Sequence, residues 1–102
     1  MSRSNAQATP LTAWLAATAD PTRMDLIRAL AAGEKTVTQL AMETRAETVN
    51  VSHHLKIMKD AGAVTFEKDG RFVIYSLVEA TVRGTTLELT HTSGAKVVLP
   101  LE

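Results

Sequence analysis

The tetrapeptide SHHL, inside the stretch TVNVSHHLKIMKDAG, places Ser52 beside two adjacent histidines, His53 and His54. Such a group could bind a metal, relay protons or read a polar partner. On a helix, neighbouring side chains point about 100° apart, so the two imidazoles do not converge on one ion; a helical chelate needs partners three or four residues apart. The helical zinc motif carries His at i and i+4 with a Glu between, whereas the positions four residues to either side are Val49, Asn50, Ile57 and Met58. Ser52 and His53 also lack the strained turn and spaced third partner of a nucleophile–base system. With no phosphate loop or metal constellation elsewhere, neither an enzyme nor a cofactor is expected, and the pair must be explained by the element that carries it.

Composition narrows that explanation. The chain has 102 residues, 45% hydrophobic and 22% charged, which fits one globular domain with a modest core. It contains no cysteine, so disulfides, thiolate chemistry and thiolate metal sites are excluded. The net charge is zero, so overall basicity makes no case for nucleic acid. No apolar run is long enough to span a bilayer and no signal-peptide core is visible, so the expectation is a cytoplasmic protein with no membrane partner.

Four helices and a change of period organise the chain. Residues 1–8 read as a disordered polar tail. TPLTAWLAATA predicts a helix capped by Thr9, with Leu11, Trp14, Leu15 and Thr18 on one face. DPTRMDLIRALAAG predicts a second, from an Asp20 cap and Pro21 to a stop at Gly33. Arg23 and Arg28 are expected on a solvated face or paired with Asp25 and Glu34. TVTQLAMET predicts a third, opened by a Thr36–Gln39 capping box. After the bend RAE comes the histidine-bearing helix, with Val51, Leu55 and Met58 inward and Gly62 as its end. AVTFEKDGRFVIYSL then reads as two short strands turning at Asp69-Gly70. Residues 78–83 read as a short helix or a loop. TTLELTHTSGAKVVLPL reads as a second hairpin; a three-residue loop at Thr92, Ser93 and Gly94 sets Leu87 opposite Leu99 and Leu89 opposite Val97.

Taken together, LAATADPTRMDLIRAL, TVTQLA, VNVSHHLKIMKDAGAV and EKDGRFVIYSL resemble the ArsR-type winged helix-turn-helix transcriptional regulators. The resemblance runs through residues 15–77. It implies a mostly α fold with a small β component (α+β), and a dimeric DNA-binding repressor that releases its operator when an effector binds. The family's usual metal sites, cysteines on the first helix of the helix-turn-helix or Asp and His on a final helix, find no matching residues here, so metal sensing is not expected. The domain expectation is a winged helix-turn-helix over residues 9–77 and a C-terminal β-hairpin extension over residues 78–102.

In such a domain the outward side of the fourth helix meets the major groove. Thr48, Asn50, Ser52 and His53 are short donors and acceptors suited to base edges or phosphates, and Lys56 follows one turn later. Lys68 and Arg71 at the hairpin tip are candidates for phosphate or minor-groove contact. His54, nearer the apolar stripe, is expected to make a structural hydrogen bond. Charge supports this only modestly, with five basic against four acidic residues over positions 45–71. Leu11, Trp14 and Leu15, with Leu87, Leu89, Val97 and Leu99, are the expected homodimer interface; the alternative has the C-terminal hairpin fold back over a ligand pocket. The expected partners are thus double-stranded DNA and a second copy of the chain, with no effector identified. The competing function is a winged-helix protein–protein interaction module that binds no DNA.

Overall fold

Cap chemistry sets the borders of the helices. The structure, a computed structural model, describes residues 9–102, and the expectation of a tail over residues 1–8 lies outside them. Helix α1 spans Leu11–Thr18 and α2 spans Pro21–Ala31. The Asp20 carboxylate accepts the Arg23 backbone N–H at 3.1 Å, satisfying an orphan donor at the start of α2. Helix α3, Val37–Thr44, opens with the complete capping box. Gln39 N–H donates to Thr36 Oγ1 at 3.2 Å, and Thr36 N–H donates to Gln39 Oε1 at 2.8 Å. Thr9 does not cap α1. Pro10 holds the N-cap position without a side-chain bond, and the Thr9 hydroxyl instead approaches His91 Nε2 at 3.2 Å.

Between α3 and α4, Thr48–Asp60, the chain turns on a Schellman motif. Ala46 N–H reaches the Ala41 carbonyl at 3.0 Å, Arg45 N–H reaches that of Met42, and Arg45 takes the left-handed conformation at φ 58°. Helix α4 buries Val51, Leu55 and Met58 completely and ends before Gly62, whose φ of +81° closes the helix.

Strands β2, Val64–Asp69, and β3, Phe72–Leu77, form the expected hairpin. Its turn lies one residue later than the Asp-Gly signal suggests. Asp69 pairs with Phe72, and Gly70 at φ +63° takes the first central position with Arg71 the second. Glycine at that position suits a type II′ turn, whose twist matches the strands. A two-residue strand β1, Lys35–Thr36, too short to leave a pattern in the sequence, adds to the other edge of β3.

The C-terminal part is a three-stranded antiparallel sheet, not a hairpin alone. Residues 80–83 are neither helix nor loop. Strand β4, Ala80–Arg83, pairs with β5, Thr86–Thr90, which pairs with β6, Lys96–Pro100. The segment could be read as helix because its four residues are too few to show a period. Here Val82 stands opposite Leu87 in the ladder. The registers Leu87–Leu99 and Leu89–Val97 are as the three-residue loop requires.

The apolar face of that sheet is covered by the chain itself. Leu87, Leu89 and Leu99 are buried in one cluster with Trp14, Leu26, Leu30 and Leu55, and Leu11 and Val97 pack partly buried against it. The expectation of a dimer contact at Trp14, Leu87, Leu89 and Leu99 is therefore corrected, since these side chains are buried within the chain. A two-stranded hairpin needs a surface to cover, and the winged domain supplies it within the same chain. Of the expected interface residues only Leu15 stays exposed, at 40%. Residues 9–77 and 78–102 thus share a core.

Candidate nucleic-acid interface

The core stripe of α4 dictates what its other side presents. With Val51, Leu55 and Met58 inward, a rotation of 100° per residue sends Val49, His53, Lys56 and Asp60 directly outward. Thr48, Asn50 and Ser52 flank them, and all seven side chains are exposed. No cap side chain occupies the helix start, because Glu47 makes no capping bond. The wing tip is also open: Lys68 and Arg71 are exposed, with the Arg71 guanidinium 5.4 Å from the Phe72 ring centre. The seven residues expected to meet DNA are thus exposed side chains on α4 and at the wing tip.

The two histidines separate as their angular positions require. Their rings stand 5.7 Å apart, edge to face. His53 is exposed, while His54 turns toward α2 and accepts at Nδ1 from Arg23 Nη1 at 3.1 Å. Guanidinium nitrogens only donate, so the His54 ring proton sits on Nε2. Arg23 is no solvated arginine: its other nitrogens donate to the carbonyls of Ala17 at 2.9 Å and Ala16 at 3.2 Å. It thereby closes the end of α1 and ties α1, α2 and α4 together. Arg28 does pair with Asp25, at 3.7 Å, and also donates to the Pro100 carbonyl at 2.9 Å.

Two carboxylates shape the local charge. The backbone N–H of Arg23 holds the Asp20 carboxyl below the usual aspartate range, helped by the charge of the Arg23 guanidinium. On α4, Lys56 donates to Asp60 at 2.9 Å, and that hydrogen bond holds Asp60 below the usual range. Asp60 therefore stays charged and offsets the one ammonium on the outward centre of the helix.

A cleft of about 430 Å³ separates the end of α4 from the C-terminal sheet, lined by Trp14, Lys59, Glu79, Thr90 and His91 among others. His91 continues the alternation of Leu87 and Leu89 and is buried on the same face. Its Nδ1 accepts from Ser93 N–H at 3.0 Å, so Nε2 carries the proton and donates to the Thr9 carbonyl at 2.8 Å. The ring lies 5.2 Å from Trp14. Only the period-two pattern of LELTH could have placed this histidine from sequence. Among the described residues, no three His, Cys, Asp or Glu side chains gather as a metal site.

A helix-turn-helix with an exposed polar second helix, followed by a two-stranded wing, defines the winged helix-turn-helix regulators, a class of DNA-binding proteins rather than enzymes. The sequence profile of the bacterial regulatory proteins of the arsR family matches residues 20–65, which contain α2, α3 and α4. The transcriptional repressor SdpR of Bacillus subtilis is 34% identical over 61 residues, 60% of this chain and 68% of that protein. An SmtB repressor homologue of Synechocystis is 37% identical over 73 residues, covering 72% of this chain and 55% of its own length. A solved structure described as a possible transcriptional regulator for arsenical resistance superposes with a TM-score of 0.61 at 43% identity, over 64% of this chain and 68% of that one. The homodimeric winged helix-turn-helix domain of Mb0332 from Mycobacterium bovis gives 0.64 at 25% identity, over 66% and 62%. The chain belongs to the ArsR family of transcriptional regulators.

Proposed function

We propose that this protein is a sequence-specific transcriptional repressor that binds duplex DNA as a homodimer and does not sense metals through the family's cysteine sites. The observation that carries the reading is the outward face of α4, where Thr48, Asn50, Ser52, His53 and Lys56 are all exposed and, among the described residues, only Lys56 makes a side-chain hydrogen bond, to Asp60. Short polar side chains at the start of such a helix suit base edges, and Lys56, Lys68 and Arg71 suit phosphates. The related Mb0332 domain is homodimeric by its description. A two-fold arrangement would give paired half-sites about one helical turn apart. With Leu87, Leu89 and Leu99 committed to the core, Val82 and Val98 remain exposed on the C-terminal sheet, and a further apolar surface available for such contact lies on α1. There Leu15 is exposed and Ala13 and Ala16 border a groove against Ile57 and Ala61. The absence of cysteine supports the metal-independent reading.

Selection of bound duplexes from a random library tests this directly. Enrichment of a two-fold symmetric site, with binding that weakens steeply with salt, is expected. Recovery of no duplex above background would instead favour a winged helix used for protein–protein contact.

A further inference from the structure

One side chain on the reading face does not fit a purely polar partner. Val49, the second residue of α4, is 77% exposed and is the single large hydrophobic residue of that helix left in solvent. It points away from the core together with His53 and Lys56, with Ser52 and Asn50 on either side. The apolar cluster of the domain does not include it. In the major groove the base edges offer hydrogen-bond donors and acceptors, and one apolar group only: the C5-methyl of thymine. The first turn of a recognition helix lies nearest those edges.

We propose that Val49 reads the C5-methyl group of a thymine, and so sets a T·A preference at one position of each half-site. The inference rests on the DNA-binding reading above and deepens it by naming the base and the atom. Burying one methyl group against an isopropyl side chain changes affinity by about fourfold. The polar residues around Val49 then read the flanking edges, while the valine excludes pairs that present an amino group or no methyl at that spot.

The experiment uses the selected duplex and the full chain. Each thymine is replaced in turn by deoxyuridine, which removes the C5-methyl and leaves every hydrogen-bonding group in place. One thymine per half-site should lose about fourfold in affinity on replacement with the parent protein, and the loss should vanish with Val49→Ala. Val49→Ala should also bind the parent duplex about fourfold more weakly with unchanged thermal stability, since the side chain is exposed. Val49→Ser repeats the test with a polar side chain. If the parent binds its duplex but no deoxyuridine substitution distinguishes it from Val49→Ala, the thymine assignment is overturned while the DNA-binding reading stands. If no duplex is enriched at all, both fall together.

Discussion

His53 and His54 differ by one residue and by what they touch, so their substitution should separate binding from folding. His53→Ala and Ser52→Ala should leave stability within ~0.5 kcal/mol of the parent. Specific binding should weaken by about 1–3 kcal/mol for each side chain that no longer reaches a base edge, read by titration against the selected site. His54→Ala should do the reverse, costing about 1 kcal/mol of stability through the missing Arg23 bond, with a smaller effect on DNA. Asp20 has its own signature. Its pKa is depressed in the fold, so the stability it contributes is present above the ordinary aspartate range and lost as pH falls through its folded value. Asp20→Asn keeps a capping oxygen but lacks the charge, so it should be less stable than the parent near neutrality, converge with it in acid and show a shallower loss of stability as pH falls, measured by urea unfolding across pH.

At the scale of elements, legibility in the sequence followed the reach of each signal. The Asp20 and Thr36 caps, the Gly62 stop and the Leu87–Leu99 register depend on residues close together in the chain, and each could be read. Strand β1 could not, because Lys35 finds Tyr75 across forty positions and two residues carry no period. Strand β4 failed for the same reason of length. The face of the C-terminal sheet was legible, but not what covers it, because an apolar stripe does not say whether its partner is a copy or the same chain. The positions on α4 were readable from the 100° rotation alone. Arg45 offers an elemental test. It occupies a left-handed position at the helix-turn-helix bend where glycine carries no Cβ penalty. Arg45→Gly should therefore raise stability by about 0.5–1 kcal/mol in denaturant unfolding.

For the molecule as a whole, neutrality means that DNA affinity turns on which charges are unopposed. Lys56 is held by Asp60, so Asp60→Asn should strengthen binding to all duplexes, whereas Lys56→Ala should weaken it evenly and reduce the salt slope by roughly 0.9. Affinity measured across a salt series distinguishes this from a change in specificity. The shared core makes a further demand. Ending the chain after Arg83 removes Leu87, Leu89 and Leu99, each worth about 1.5–3 kcal/mol when buried. That sum rivals the whole stability of a small domain, roughly 5–15 kcal/mol. The shortened chain should lose its cooperative thermal transition and expose Trp14, visible as a red shift in fluorescence.

A sheet at the C-terminus also brings a hazard that a helix in its place would not. Among the described residues, strand β6 lies at the sheet's border with one row of backbone groups unpaired by strands, and such a row is a template on which other chains can polymerise. Its sequence, KVVLP, holds three consecutive apolar residues between Lys96 and Pro100. The lysine sets a charge at one end, the proline removes a donor at the other, and Arg28 occupies the Pro100 carbonyl. Charge and proline on an edge strand are features that oppose edge-to-edge pairing. Replacing Lys96 and Pro100 together by valine should leave the monomer's fold intact and shorten the lag before light scattering rises in concentrated, agitated solution.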